Sequence, residues 1–355
     1  MTHYIDSFPG PELLVNGEPF LYFGGTAYLG LQTDPNFQDI MIGHIKKYGT
    51  NYGASRNSNL RISVYGRAEE YLSYLVGSES CLTLSSGYLA GQAVSQFFAN
   101  GNYALFHAPN AHPALQLPTT RSYGSYPSLQ ADLLDHIRSN SKKRPVLFLD
   151  SVDFSGLNHP SFEELKKLPL EKIILVIDDS HAIGILGNDG AGTYRNLLQL
   201  GALETIVSTS LGKGFGIQAG AIFGSWERLK GIRDSSFFGG ASPAAAAHLA
   251  TLLDATSIFG QKRTILRANM AYFQSHYSIM PLFTTLRDHP TYSFHNSDLA
   301  IFLETNHILF THFPYPRPDS PMMGRIVLSA HHTKEQIDRL TGCIQQFLRA
   351  AQDRI

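Results

Sequence analysis

Cysteine is scarce in this chain of 355 residues: Cys81 and Cys343 are the only two, too few and too far apart to suggest a disulfide framework or a zinc site. Net charge is almost absent as well. Lysine and arginine number 28 against 29 aspartates and glutamates, so no electrostatic case exists for a nucleic acid or an anionic membrane as partner. No apolar run approaches the length of a bilayer span, and the opening MTHYIDSFPGPELL has neither the basic start nor the apolar core of an export signal. A cytoplasmic protein is expected. Fifteen histidines are present, yet none stands at the H-E-x-x-H or His/Cys spacings of a metal site, and His331 and His332 in AHHTKEQ read as a helix start. Internal repeats and low-complexity linkers are missing too. The remaining partners are a small molecule or a second copy of the chain.

At about 150 residues per domain, the length suggests two domains. Asn16-Gly17 between LLV and EPFLYF predicts a hairpin, because both residues accept positive φ. Apolar residues at helical intervals predict a helix from Asp34 to Tyr48, ending at Gly49. CLTLSSGYLAGQAVSQFF has the form strand, turn, amphipathic helix. The runs at Val146–Leu149 and Ile173–Ile177 read as parallel strands buried on both faces. Towards the end, helix and strand alternate and close on an amphipathic helix, which suits an α+β domain.

The most informative stretch is IVSTSLGKGFGIQAGAIFGS, residues 206 to 225. A β-branched run gives way to hydroxyl residues and then to glycines flanking Lys213. Burial lowers an amine's pKa, and a lowered pKa is what attack on a carbonyl requires, as in the Schiff-base lysine of pyridoxal phosphate chemistry. A lysine in a glycine turn is, taken alone, more often a surface residue. Upstream, the run ending at Ile177 delivers Asp178, Asp179 and His181 at a strand's carboxyl end, where open α/β sheets bind ligands. A carboxylate there suits a protonated ring nitrogen, although two acids at a strand end also suit a helix cap.

DDSHAIGILGNDGAG followed by STSLGKGFG resembles the paired motifs of the α-oxoamine synthases, which include 8-amino-7-oxononanoate synthase and serine palmitoyltransferase. These are type I pyridoxal phosphate enzymes of the aminotransferase class I/II superfamily. The resemblance covers nearly the whole chain. It implies that Lys213 holds the cofactor, Asp178 its ring nitrogen and His181 its ring oxygen. His112 would stack on the ring, and Ser86, Gly87, Tyr88 and Ser210 would surround the phosphate, the turn Ser86-Gly87-Tyr88 standing where the family has SGF. Arg325 in RIVLSAHHT aligns with the family arginine that takes the substrate carboxylate, Arg56, a further candidate for substrate binding, with the arginine of a glycine-rich region, and Tyr315–Pro318 with an active-site loop.

Departures are visible. Thr26 stands where the family has an asparagine that contacts the carboxylate. Tyr65 replaces a histidine, Phe154 occupies a serine position with Asp150 in place of a glutamate, and Gly239 and Gly240 fall where a hydroxyl residue reaches the neighbouring subunit.

The resemblance implies a type I fold: a large domain with a mainly parallel seven-stranded sheet flanked by helices, and a smaller α+β C-terminal domain. Boundaries are expected near residues 30 and 240, giving an arm (1–30), a cofactor domain (31–240) and a small domain (241–355). The implied activity is condensation of an amino acid with an acyl-CoA thioester, with decarboxylation, in a homodimer. An aminotransferase of the same fold and a non-catalytic binding or regulatory protein remain open. The intact lysine, aspartate and histidine argue against the last.

Overall fold

The computed structural model describes residues 2–109, 111–117, 120–121, 123–139, 141–154, 156–314 and 322–352; Tyr315 to Pro318 lie outside these described residues. Twelve strands follow one another among them: β1 (Glu12–Val15), β2 (Glu18–Phe23), β3 (Ser80–Leu84), β4 (Tyr103–His107), β5 (Arg144–Asp150), β6 (Ile174–Asp178), β7 (Glu204–Ser210), β8 (Gly220–Gly224), β9 (Thr284–Thr285), β10 (Thr291–Phe294), β11 (Ile308–Pro314) and β12 (Met322–Val327). The chain divides into two compact units, one of Asn36–Ser257 and the other of the residues up to Pro35 together with those from Ile258 onward.

In the Asn36–Ser257 unit the sheet order is β3-β8-β7-β6-β5-β4. Four successive neighbours, β4 to β7, are parallel, and β8 runs antiparallel to both β7 and β3. The sheet is thus mainly parallel, with six strands among the described residues where seven were expected. Parallel neighbours need crossovers, and the chain supplies helices at Tyr126–Arg138 between β4 and β5 and at Tyr194–Leu198 between β6 and β7. Every residue of β6 and of β8 is buried. Val146, Phe148, Ile174, Val176, Ile206 and Ile222 meet Ala90, Val94 and Phe98 of the helix Gly87–Phe98 in one apolar cluster. Pairing in register sets Asp150 beside Asp178 and Asp178 beside Ser208, so three polar strand ends are carried to one rim by an apolar sheet.

The other unit has the sheet order β1-β2-β11-β12-β10-β9. The Asn16-Gly17 turn joins β1 to β2 with φ of 51° and 85°, and β2 pairs in parallel with β11. The closing helix Lys334–Gln352 opens on a reciprocal cap. The Gln336 N–H donates to Thr333 Oγ1 at 3.3 Å, and the Thr333 N–H donates to Gln336 Oε1 at 3.0 Å. His332 is buried just before it, accepting from the Ser329 N–H at 2.9 Å through Nδ1 and bonded to the Tyr22 carbonyl at 2.9 Å through Nε2, its ring stacked on Phe23. No helix among the described residues is long and apolar enough to cross a membrane.

Candidate active site

Asp178 ends β6 and is 7% exposed. Its Oδ1 accepts from the Ser180 N–H at 2.9 Å, and its Oδ2 lies 3.9 Å from Nδ1 of His112. His112 caps a short 3₁₀ turn by accepting from the Ala114 N–H at 3.1 Å, also through Nδ1. A ring nitrogen that accepts carries no proton, which puts the ring proton on Nε2. Burial holds the imidazole below its ordinary pKa; Asp178 opposes this and Lys213 adds to it. His112 is therefore a neutral, half-buried aromatic plate beside a carboxyl group.

Asp150, at the end of β5, fixes the backbone of that plate: its Oδ1 accepts from the His112 N–H at 3.0 Å. Burial first, and the adjacent Asp178 second, push the Asp150 carboxyl well above the ordinary carboxylate range. Asn158 holds the same strand end, donating to the Asp150 carbonyl at 2.6 Å while Tyr126 donates to Asn158 at 2.5 Å. Asp179 turns to a different task. It is 1% exposed and accepts from Ser151 Oγ, Thr193 Oγ1 and the Thr193 N–H at 2.6, 2.6 and 3.0 Å, which ties β5, β6 and the following glycine loop together.

Lys213 leaves the end of β7, with Nζ 3.3 Å from Nε2 of His181. The backbone between them explains the glycines. A Cβ on Gly214 would stand 2.1 Å from the Ile183 carbonyl oxygen and 2.8 Å from Gly184 Cα, so the two motifs touch main chain to main chain. His181 also meets Phe154 in a T-shaped contact, ring centroids 4.7 Å apart, and Phe154 adopts a positive φ of 56°. The remodelled loop after β5 therefore delivers an aromatic ring where the family pattern has a serine.

Ser86 caps the helix Gly87–Phe98, its Oγ accepting from the Leu89 N–H at 3.1 Å. Gly87 lies against Ser210, whose Cβ would be 2.5 Å from a Cβ placed there. The positive end of this helix thus closes on the end of β7. The Ser210 N–H donates to Ser180 Oγ at 2.8 Å, and the Gly212 N–H donates to Ser210 Oγ at 3.3 Å. Among the described residues Ser208 Oγ has no hydrogen-bond partner, although Ser208 is wholly buried. The Tyr88 side chain is exposed.

The expected residues thus fall into groups. Ser86, Gly87, His112, Asp178, His181, Ser210 and Lys213 gather around the ends of β5 to β7. Arg56 is bonded elsewhere: Nη1 and Nη2 donate to the two oxygens of Glu69 at 2.9 and 3.1 Å, Nη1 also reaches Thr83, and the guanidinium lies over the Tyr65 ring at 4.1 Å. The Tyr65 hydroxyl donates to the Ala244 carbonyl at 2.7 Å, and Ser55 Oγ donates to the Gly239 carbonyl at 2.7 Å. Thr26 and Arg325 belong to the other unit, where Arg325 is 8% exposed on β12 and donates to Met323 Sδ at 3.4 Å. Sequence reasoning missed Ser180, which bonds both Asp178 and Ser210. Its only signal was a hydroxyl between the acids and the histidine of DDSH.

Known proteins resemble this chain over nearly its whole length. The 8-amino-7-oxononanoate synthase of Thioalkalivibrio sulfidiphilus is 25% identical over 360 residues, covering 97% of this chain and 92% of its own. The serine palmitoyltransferase of Sphingobacterium spiritivorum is 25% identical over 212 residues, 58% of this chain and 53% of its own. Among solved structures, Sphingomonas wittichii serine palmitoyltransferase superposes with a TM-score of 0.81 at 17% identity, covering 98% of this chain and 92% of that one. An 8-amino-7-oxononanoate synthase from Francisella tularensis superposes with a TM-score of 0.69 at 19% identity, covering 94% and 98%. These are the enzymes whose motifs the sequence resembles, and their fold is the one observed. The profile of the aminotransferase class I and II family matches residues 55–344, and the chain belongs to that family.

Proposed function

We propose that this chain is a pyridoxal phosphate-dependent transferase of the α-oxoamine synthase type, joining an amino acid to an acyl-CoA thioester with loss of CO2 and release of the thiol. One observation carries the reading: an amine, an imidazole and a buried carboxyl group, from Lys213, His181 and Asp178, gather at the ends of two adjacent parallel strands. The residues present fit the cofactor. Gly87 has no side chain where one would strike Ser210, which brings helix N–H groups and a hydroxyl together as a phosphate requires.

When bound, pyridoxal phosphate supplies an electron sink for charge developing at an amino acid's α carbon. The protein's part follows from its own groups. Lys213 would hold the aldehyde and then move the proton at the α carbon as general base. Asp178 would keep a proton on the ring nitrogen, and His181, oriented by the Phe154 ring, would bond the ring oxygen. The neutral His112, its backbone fixed by Asp150, would cover the ring. Ser86, Gly87, Tyr88 and Ser210 would seat the phosphate. Arg325, with the planar fork that carboxylates accept in pairs, would take the amino acid's carboxylate, and Thr26 would border it. Arg56 would act through Glu69 on the fold. We also propose a cytoplasmic homodimer.

Support comes from the family, from relatives named for this chemistry over nearly the whole chain, and from the gathering of the lysine, histidine and aspartate. Thr26 and Phe154 favour a second reading, an aminotransferase of the same fold. Purified protein, acyl-CoA and glycine, alanine or serine separate the two. The first reading expects free thiol, whereas an aminotransferase needs a keto acid and releases none. Absence of thiol across a panel of acyl donors and amino acids overturns the synthase reading.

A further inference from the structure

Away from Lys213, a cavity of ≈ 340 Å³ is lined by three guanidiniums, those of Arg56, Arg61 and Arg233, and by Tyr52, Tyr65 and Phe238. Only one of the three cations is neutralised. Among the described residues Glu69 is the sole carboxylate in the lining, and Arg56 engages it. It takes Arg56 on both oxygens, and it also accepts from the Thr83 N–H at 2.8 Å and the Thr83 hydroxyl at 2.9 Å. Arg61 donates from Nε to the Ser58 carbonyl at 3.2 Å, and its terminal nitrogens make no hydrogen bond among the described residues. Arg233 is half-buried and makes neither a hydrogen bond nor an ion pair among them. The cavity therefore carries two uncompensated positive charges beside aromatic walls.

Arg61 is exposed and Arg233 half-buried, so the cavity is open to solvent on one side; two guanidiniums that line one cavity without a carboxylate of their own favour an anion, and their planar donor forks match phosphate oxygens. We propose that this cavity is a binding site for a phosphate ester, with its dianionic end between Arg61 and Arg233 and its organic group against Tyr52 and Phe238. A carboxylate would satisfy one fork; the second cation favours the doubly charged group. The site is separate from the residues assigned to the cofactor, and its occupancy is read without turnover.

Calorimetric titration in phosphate-free buffer tests it, using protein loaded with pyridoxal phosphate and then freed of unbound cofactor by gel filtration, so that the cofactor's own phosphate seat is filled and the cavity is not. The probes are inorganic phosphate, glycerol 3-phosphate and phenyl phosphate. Saturable binding is expected, tighter for phenyl phosphate than for inorganic phosphate, and Arg61→Ala and Arg233→Ala should each weaken it by about tenfold or more. Arg233→Lys keeps the charge but loses the fork and should fall between, which also covers the case in which the alanine variant fails to fold. No saturable heat with the wild type, or equal binding by folded variants and wild type, overturns the site. Equal affinity for phenyl and inorganic phosphate overturns the ester assignment.

Discussion

Nζ of Lys213 stands 3.3 Å from Nε2 of His181, although 32 residues separate the two along the chain. What joins them is the backbone contact of Gly214 with Ile183 and Gly184, at a distance no side chain would permit. The pair is therefore positioned by two turns pressed together at adjacent strand ends, and the sheet beneath them transmits its rigidity to the amine.

Replacing Lys213 with alanine should leave the fold intact, because the residue is only partly buried and stands outside the apolar core. After incubation with pyridoxal phosphate, the wild type should show an absorbance band near the visible edge that borohydride discharges, and the variant should not. Thiol release should fall by three orders of magnitude or more, about 4 kcal/mol of barrier. A variant that keeps both the band and the activity would remove this lysine from the chemistry.

Gly214→Ala is expected to be more damaging than its size suggests. The added carbon meets a carbonyl oxygen and an α carbon, both main chain, so neither can swing away as a flexible side chain would. A loss of about 1–3 kcal/mol in urea unfolding is expected, together with weakened cofactor binding as Lys213 is displaced from His181. Gly17→Ala serves as the contrast. Its turn has space for a Cβ, and the cost is the positive φ of 85° alone, in the unit that does not hold Lys213.

These two cases mark what letters carry and what they do not. The gathering of Lys213, Asp178 and His181 was legible because each follows an apolar run that reads as a buried strand and because the two motifs together resemble those of a known family. The Asn16-Gly17 hairpin and the helix ending at Gly49 were legible because positive φ narrows the choice of residue. Arg56 was not. As a string its partner Glu69 is one acid among many, and only the fold shows that both oxygens of Glu69 are given to it. Ser180 and the Phe154 ring were hidden for the same reason, since each acts through a contact between segments. The membership of Thr26 and the first strands was hidden too, because the parallel pairing of β2 with β11 joins residues nearly 300 positions apart.

Glu69→Gln tests the assignment of Arg56 to the fold. The Arg56 and Glu69 side chains are 14% and 11% exposed, so the variant leaves a buried guanidinium facing an amide that can accept on one atom only. Breaking a buried pair from one side costs about 3–5 kcal/mol, and urea unfolding should show a loss of that order. The protein that remains folded should keep its turnover, since the expected effect is on stability. A fall in kcat with unchanged stability would return Arg56 to the substrate.

Acid should weaken the two units unequally, and the signs follow from which groups each one buries. In the unit that contains β12, burial holds His332 down at about 4 and His331 at about 3, against an ordinary value near 6.5. The unfolded chain therefore takes up these protons first as pH falls. The stability that the neutral imidazoles confer is complete above about pH 6.5 and is lost progressively towards pH 4, by a few kcal/mol at most. The Asn36–Ser257 unit contains an opposing term. Burial raises Asp179 to about 6, above its unfolded value, so protonation between pH 6 and 4 favours the folded state there and offsets the lowered His107, His112 and His248. Hydrogen exchange followed from pH 7 to 4.5, corrected for the intrinsic rate, should show protection falling in β2 and β12 before it falls in β6 and β7. His332→Gln should flatten that fall, and equal loss in both sheets would mean that these buried imidazoles do not set the acid limit.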